Sequence, residues 1–549
     1  MKRQSLWLPL LLLVGSYQSG TPAMAQSPRL AVVIAVDQMR SDYLDVFASN
    51  YDGGFARLRE GGAIFADAHQ DHAITETSPG HTSISTGVFP SRHGLVANEF
   101  FHRGENREVG AVADRSVALV GGDAGEGSSP FRMLRSSLSD WLKAADSVSK
   151  ALSVSIKDRS AILMGGKSAD AAYWLDLNSG QFLTSDYYLD ALPEWVRTFN
   201  RSGALTQYNG SSWARSADDS VYDDLPWREL AGRDPAQYAS LPRAIGAANE
   251  PIGRRYYLRL RGSPFADLET LNFARAMIES EELGEDDSPD LLFIGLSAAD
   301  YIGHRIGPYS DEIHDQFLRL DDYLGEFLGY LDERMGAGNY VVVLSADHGA
   351  APVPELAREI GLDAGRVDPD DLVEYIRPVV EQAFAAGELP SLPELDYASG
   401  LFFVFGDAIP AHDRLTRLQN RVAEHLLGHP AVSATYTHSA LRDHAIDDPE
   451  FAELYARSFH PERAPDVTVR LRENYILRDA ATGTSHGSPY RYDTHVPIIF
   501  YGAGVEGARL AERVRTVDIA PTLAALLGVP VPDDLDGRDL SSLLHSRED

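Results

Sequence analysis

The chain has 549 residues, and its hydrophobic fraction of 44% is enough to build a large buried core. A formal charge of −32 argues against nucleic acid and anionic membrane surfaces as binding partners. The chain has no cysteine, which excludes disulfides and thiolate metal sites, so any bound metal ion must be held by His, Asp and Glu.

The first 25 residues have the pattern of a secretory signal peptide. Lys2 and Arg3 precede an apolar run at residues 6–14, and a small-x-small cleavage site ends at Ala25. The run is too short to span a membrane, and a buried first helix is the alternative interpretation. The remaining sequence has no long uncharged apolar stretch. We therefore expect cleavage after Ala25, no integral membrane segment in the mature chain, and a periplasmic or secreted location.

Four continuous apolar runs rich in β-branched residues predict buried strands of a parallel sheet. They are residues 29–36, Asp290–Leu296, 340–344 and 496–501. Apolar residues also recur every three or four positions from Ile313 to Leu331, which predicts an amphipathic helix. Strands that alternate with helices indicate an α/β protein with a doubly wound, mostly parallel sheet. In such sheets ligands bind at the carboxyl ends of the strands.

Two stretches interrupt this alternation and are predicted to be insertions in a single domain that covers residues 26–549. Residues from about 105 to 285 hold a strand-like segment at 152–156 among polar, Gly-rich loops, and we expect them to pack over the sheet edge. Residues from about 351 to 465 hold helical patterns and a strand-like segment at 400–405, and we expect them to form a cap.

Thr77 lies in the sequence TSPGH, where a turn leads into a Ser/Thr-rich run that can begin a helix. At a helix start, unpaired N–H groups and the positive end of the helix dipole favour an anion. A threonine in such a turn is most often only a cap or turn residue, so this motif by itself does not establish a function.

Acids and histidines that can ligate a metal follow the predicted strands. Asp300 and His304 are four residues apart, which places them on one face of a helix. The others are Asp37 after the first strand, Asp347 and His348 after the third, and His486 in a Gly-rich loop. Three carboxylates and three imidazoles form a ligand set suited to Zn²⁺. Paired metal ions and a hydroxyl are typical of phosphoryl transfer, here through a phosphothreonine at Thr77.

Seven motifs are distributed along nearly the whole mature chain. They are VVIAVDQMRSDYL at 32–44, TETSPGH at 75–81, GLVAN at 94–98, SIKDRSAIL at 155–163, DYIGHRIGP at 300–308, VVLSADHG at 342–349 and GSPYRYDTHVPI at 487–498. In this order they resemble the alkaline phosphatase superfamily of two-zinc phosphoryl-transfer enzymes, and most closely its bacterial periplasmic monoesterases with a threonine nucleophile. The resemblance implies an α/β/α sandwich with a mostly parallel central sheet and two insertions.

The resemblance also implies two Zn²⁺ ions per chain. The residues expected to hold them are Asp300, His304 and His486 for one ion, and Asp37, Asp347, His348 and the Thr77 oxygen for the other. His495 is the alternative to His486 as the last ligand in the sequence.

Three further residues match family positions that bind the phosphoryl group. Asn98 matches a residue that donates to a non-bridging oxygen, and Lys157 and Arg159 match a pair that grips the phosphate dianion. A monoester carries two charges on its non-bridging oxygens, so two cations favour it over a diester. By composition alone, Lys157 and Arg159 would instead belong to a solvated turn.

The sequence thus predicts an exported alkaline phosphatase of broad substrate range that hydrolyses phosphate monoesters and releases inorganic phosphate. The alternatives are a phosphodiesterase or nucleotide pyrophosphatase of the same fold, an enzyme restricted to one substrate class, and a non-catalytic periplasmic protein that binds metal or phosphate. Sulfatases of the superfamily modify a Cys or Ser at the position of the nucleophile. This chain has Thr77 there, so we do not expect it to be a sulfatase.

Overall fold

The computed structural model describes residues 27–122, 125–223, 241–247, 249–406 and 408–545. The signal peptide lies outside these residues, so its cleavage stays a prediction. Within the described residues, no helix is both long enough and apolar enough to cross a membrane.

A mixed sheet of ten strands forms the centre of the molecule. In spatial order the strands are Ala508–Arg515, Ala63–His69, Ile498–Gly502, Tyr340–Ser345, Leu30–Val36, Asp290–Leu296, Ala151–Ser155, Ala171–Asp176, Gln181–Ser185 and Leu119–Val120. The five strands from Tyr340–Ser345 to Ala171–Asp176 are parallel. Every residue of Leu30–Val36 is buried, because this strand has strands on both sides and helices on both faces.

Helices cover both faces of this sheet. One set of alternate residues in Leu30–Val36 packs in an apolar cluster with Pro264–Ser280 and Asp311–Met335, and the other set packs with Thr77–Thr86 and Ile519–Leu527. Other helices of the domain are Gly54–Gly61, Leu138–Ala145, Asp158–Gly165, Glu194–Arg201, Arg254–Leu260 and Ala298–Ile306. The predicted α/β sandwich with a mostly parallel sheet is confirmed.

Two predictions about the sheet differ from the structure. The strand predicted at 496–501 is Ile498–Gly502, and it pairs antiparallel with both neighbours. A continuous apolar run indicates that a strand is buried on both faces, but it does not indicate whether the strand runs parallel or antiparallel to its neighbours. The segment predicted at 152–156 is Ala151–Ser155, and it lies inside the sheet instead of over its edge.

Residues of the predicted second insertion form a smaller unit with its own apolar cluster. Its antiparallel sheet has the order Glu394–Tyr397, Leu401–Val404, Val467–Leu471, Val432–Thr437, with the helices Pro369–Ala385 and His412–Leu426. Since Val467–Leu471 follows the predicted end near residue 465, this unit extends beyond the predicted insertion. The division into a core and two insertions stays a prediction.

Strand register aligns the carboxyl ends of the parallel strands. Val36 pairs with Leu296, Ala35 with Ser345, and Gly295 with Ser155. The residues that follow these strands therefore emerge at one edge of the sheet.

Candidate active site

The predicted site residues converge where the parallel strands end. Asp37 directly follows Leu30–Val36, and Asp347 and His348 follow Tyr340–Ser345 by one residue. Asp300 and His304 lie on the helix Ala298–Ile306, which begins after Asp290–Leu296. Strand polarity and register thus bring together residues that are more than 300 positions apart.

Asp300, His304 and His486 form a first group that can hold a metal ion. His304 Nε2 lies 3.2 Å from Asp300 Oδ1 and 3.2 Å from His486 Nε2. The other ring nitrogens contact backbone carbonyls, His304 Nδ1 at Thr484 O and His486 Nδ1 at Thr75 O. These contacts direct both Nε2 atoms toward the carboxylate, the usual arrangement of metal-binding histidines.

Asp37, His348 and again Asp300 form a second group. His348 Nε2 lies 3.5 Å from Asp37 Oδ1 and 3.4 Å from Asp347 Oδ2, so Asp347 borders this group. Burial and the nearby Asp347 raise the pKa of Asp37 well above its usual range. The rings of His348 and His486 stack at 3.6 Å, and the two groups therefore adjoin each other.

Lys157 lies between the two groups. Its Nζ is 2.5 Å from Asp37 Oδ2, 2.6 Å from Asp300 Oδ2 and 3.4 Å from Thr77 Oγ1. Burial opposes a charge on Lys157, but the Asp300 and Asp37 carboxylates raise the pKa of its ammonium well above its usual range. The lysine therefore stays charged beside the threonine hydroxyl.

Thr77 is the first residue of the helix Thr77–Thr86, in which every residue is buried. Gly80 allows this helix to approach the end of the neighbouring strand, because a Cβ at that position would lie 2.2 Å from Asp347 O. His81, one turn after Thr77, has its Nδ1 2.9 Å from Thr77 O and 3.3 Å from Asp347 Oδ2. Helix packing thus fixes the start of this helix, and with it Thr77, against the strand end that precedes Asp347.

Arg159 and Asn98 complete the predicted set. In the part of the chain that the structure describes, no carboxylate lies within 4.0 Å of the Arg159 guanidinium, and Asn98 Nδ2 makes no hydrogen bond. The Asn98 Oδ1 accepts from the backbone N–H and the hydroxyl of Ser78, each at 2.9 Å. Both side chains therefore retain donors for a ligand.

Sequence reasoning missed two residues that contact the candidate ligand carboxylates. Gln38 donates from Nε2 to Asp300 Oδ1 at 2.8 Å and from its backbone N–H to Asp347 Oδ1 at 3.1 Å. Its φ of +63° turns the chain so that both contacts form. The other is His81. Their positions in the motifs VDQ and TSPGH were the available signal, but the contacts depend on the folded chain.

His495 does not lie in either group. It lies with His69 and Asp67, its ring stacks on His69 at 5.0 Å, and its Nε2 is 3.0 Å from Ala66 O. His486 is the histidine beside His304, so the geometry favours it as the last ligand in the sequence.

The residues present fit divalent metal ions. His348 Nε2 is buried and makes no hydrogen bond, although buried polar atoms are nearly always paired. Burial lowers the pKa of His348, and burial with the neighbouring His348 lowers that of His486, so both imidazoles are neutral as metal ligands must be. Oxygen and nitrogen donors without sulfur suit Zn²⁺ and similar ions.

Comparisons with known proteins agree with this geometry. A family model described as type I phosphodiesterase / nucleotide pyrophosphatase matches residues 31–489. Alkaline phosphatase PhoK of Sphingomonas sp is 34% identical over 541 residues, which cover 96% of this chain and 93% of PhoK. Alkaline phosphatase PafA of Elizabethkingia meningoseptica is 30% identical over 531 residues, 94% of each chain. The crystal structure of wild-type PafA matches with a TM-score of 0.85 and 29% identity, and covers 94% of this chain and 99% of that chain.

Proposed function

The chain belongs to the type I phosphodiesterase / nucleotide pyrophosphatase family, and from that premise we propose that it is an exported alkaline phosphatase of broad substrate range. Full-length similarity to alkaline phosphatases at 30% and 34% identity supports this activity. The proposed partners are small-molecule phosphate monoesters, and the product is inorganic phosphate.

The observation that carries the proposal is the position of Lys157. Its ammonium contacts a carboxylate from each metal-binding group and lies 3.4 Å from Thr77 Oγ1. A nucleophile, a cation and two ligand groups within one buried cluster are the parts that phosphoryl transfer requires.

In the proposed reaction, Thr77 Oγ forms a bond to phosphorus as the bond from phosphorus to the alcohol oxygen of the ester breaks. A phosphothreonine results, and the alcohol leaves with a proton. Water then attacks the same phosphorus, releases inorganic phosphate and restores the Thr77 hydroxyl. Lys157, Arg159 and the Asn98 amide stabilise charge on the non-bridging oxygens.

Two metal ions, which we propose to be Zn²⁺, would activate the threonine and water oxygens and neutralise developing charge. The residues proposed to hold them are Asp300, His304 and His486 for one ion, and Asp37, Asp347, His348 and the Thr77 oxygen for the other.

The competing function is a phosphodiesterase, which the name of the matching family also covers. A monoester presents a dianion to Lys157 and Arg159, whereas a diester presents a single charge and a second organic group. Zinc-loaded protein is therefore assayed with an aryl phosphate and the matching bis-aryl phosphate. We expect kcat/KM to be greater for the monoester by orders of magnitude, and a preference for the diester would identify a phosphodiesterase.

The nucleophile is tested with Thr77→Ala and the matched variant Thr77→Ser. We expect Thr77→Ala to abolish turnover and Thr77→Ser to retain part of it, since serine keeps the attacking hydroxyl. Acid quenching with labelled substrate should leave phosphate on residue 77 in the wild type and in Thr77→Ser. Label on a different residue would contradict the assignment, and full activity of Thr77→Ala would refute it.

We propose a periplasmic or secreted location on the basis of the predicted signal peptide. Amino-terminal sequencing of the exported protein should begin at Gln26. Retention of residues 1–25 in the exported protein would contradict the cleavage prediction.

A further inference from the structure

A hairpin of the second insertion reaches the candidate active site. Its strands Glu394–Tyr397 and Leu401–Val404 pair antiparallel, and residues 398–400 connect them. Ser399 in this turn donates from Oγ to Glu76 Oε1 at 3.0 Å. Because Glu76 directly precedes Thr77, the hairpin contacts the chain next to the proposed nucleophile.

The backbone of Ser399 is in the left-handed region, with a φ of +57°. Non-glycine residues rarely adopt this conformation, which persists where surrounding contacts impose it and is common at functional sites. Here the conformation brings the serine hydroxyl to the Glu76 carboxylate.

Glu76 occupies the N-cap position of the helix Thr77–Thr86 but makes no side-chain cap bond. Its Oε2 instead accepts a hydrogen bond from the backbone N–H of Asn98 at 2.7 Å. The carboxylate thus connects Ser399 on one oxygen with Asn98 on the other.

Asn98 is held in one orientation by these contacts and by Ser78. The Ser78 backbone N–H can only donate, so the side-chain atom of Asn98 that faces it must be the oxygen Oδ1. Since Oδ1 also accepts from the Ser78 hydroxyl, the Asn98 amide cannot rotate without breaking two bonds. Its Nδ2 is left to donate to a phosphoryl oxygen.

We propose that Ser399 and Glu76 are positioning residues that fix Asn98, and that the hairpin of the second insertion thereby sets the affinity for the phosphoryl group. This inference rests on the proposed function, because it assigns Asn98 to the phosphoryl group. Neither residue contacts substrate, and each acts through Asn98.

The test uses Ser399→Gly in the zinc-loaded, full-length protein. Glycine tolerates the positive φ, so the variant removes the hydroxyl without straining the turn. We expect the inhibition constant of inorganic phosphate and the KM of an aryl phosphate to rise about 3- to 10-fold, the loss typical of one hydrogen bond in a charged network. Glu76→Ala, which removes the groups that make both contacts, is expected to have a larger effect. The matched control is Ser391→Gly. Ser391 lies in the same insertion and makes no hydrogen bond among the described residues, so this variant should have the phosphate affinity and KM of the wild type.

A double-mutant cycle separates positioning from general damage to the fold. In an Asn98→Ala background, Ser399→Gly should change phosphate inhibition by less than about 2-fold, because the group it positions is gone. An equal loss in both backgrounds, or no loss in either, would overturn the proposal. Calorimetry measures the affinity of the same variants for inorganic phosphate even if the wild type hydrolyses no monoester. Failure of the positioning proposal can therefore be distinguished from failure of the proposed function.

Discussion

At the scale of single residues, we propose that substrate preference depends on Lys157. It is buried, charged and already held between Asp37 and Asp300, so its ammonium is oriented before a ligand binds. Arg159 adds a guanidinium that has no ion-pair partner in the described part of the chain. Under the proposed function, these two cations would bind the phosphoryl group and match the dianion of a monoester.

We predict that Lys157→Ala and Arg159→Ala each lower kcat/KM for an aryl phosphate by roughly 10- to 100-fold, the effect of a lost hydrogen bond to a charged group. The rate with the bis-aryl phosphate should change much less. Lys167→Ala replaces an exposed lysine and serves as the control. Equal losses for both substrates would show that the pair does not select monoesters.

Asp267 is a buried acid that supports the helix Ala298–Ile306. It accepts from the Ala298 backbone N–H at 3.1 Å and from Gln316 Nε2 at 2.8 Å. Burial raises the pKa of Asp267 to about 7, although these hydrogen bonds oppose the shift. The folded protein therefore keeps this proton over a pH range in which the unfolded chain has lost it.

This shift predicts that the contribution of Asp267 to the free energy of unfolding falls as pH rises from about 4 to about 7, since the unfolded state binds fewer protons there, and that this contribution is constant above pH 7. Asp267→Asn removes the titration. Its free energy of unfolding relative to wild type should rise by up to roughly 4 kcal/mol over that interval. Thermal melts at successive pH values measure the difference. Asp190→Asn, at an exposed site, should follow the wild type, and parallel curves for Asp267→Asn and wild type would contradict the prediction.

At the scale of elements, the helix Thr77–Thr86 and the end of the strand Tyr340–Ser345 approach each other closely at Gly80. A Cβ at Gly80 would lie 2.2 Å from Asp347 O, which no side-chain rotation can relieve because both atoms belong to main-chain geometry. The close approach of the helix that carries Thr77 to the backbone of Asp347 therefore depends on this glycine.

We predict that Gly80→Ala shifts the helix, destabilises the protein by roughly 1–3 kcal/mol and removes most of the activity. Gly329→Ala is the matched control, because Gly329 lies in the helix Asp311–Met335 with nothing within 4 Å of the added methyl. There alanine should stabilise the protein by about 0.5–1 kcal/mol through its helix propensity. Thermal melting and the aryl phosphate assay measure both variants, and a fully active Gly80→Ala would contradict the packing argument.

At the scale of the whole molecule, the chain has a net charge of −32, and some of its acidic residues are buried at the candidate site. Asp37, Asp300 and Asp347 are buried within one cluster, and among the described residues Lys157 is the ammonium that pairs with two of them. Metal binding should therefore stabilise the folded state as well as supply chemistry.

We predict that chelation lowers the melting temperature and that Zn²⁺ restores it. A site that binds only the folded state contributes about 2.7 kcal/mol when free Zn²⁺ is 100 times its dissociation constant. The His486→Ala variant should show a smaller shift, since it lacks one ligand. Calorimetry with and without a chelator measures the effect, and identical melting curves would contradict a metal-bound native state.

The sequence by itself determined the local elements and identified the residues of the candidate site. The apolar runs that precede Asp37 and Asp347 were identified as strands because a strand that is buried on both faces needs apolar side chains at every position. The helix that carries Asp300 and His304 was identified because residues four apart share a helix face. These patterns lie within short stretches of sequence, so they can be recognised without knowledge of the rest of the chain.

Only the tertiary structure decided the direction of Ile498–Gly502, the place of Ala151–Ser155 inside the sheet, and the position of His486 rather than His495 beside His304. It also showed that Ser399 reaches Glu76, a contact across 323 positions. The physical reason is common to all of them. Hydrophobic periodicity shows which face of a helix or strand is buried. Which other element packs against that face depends on contacts between segments that are far apart in the chain.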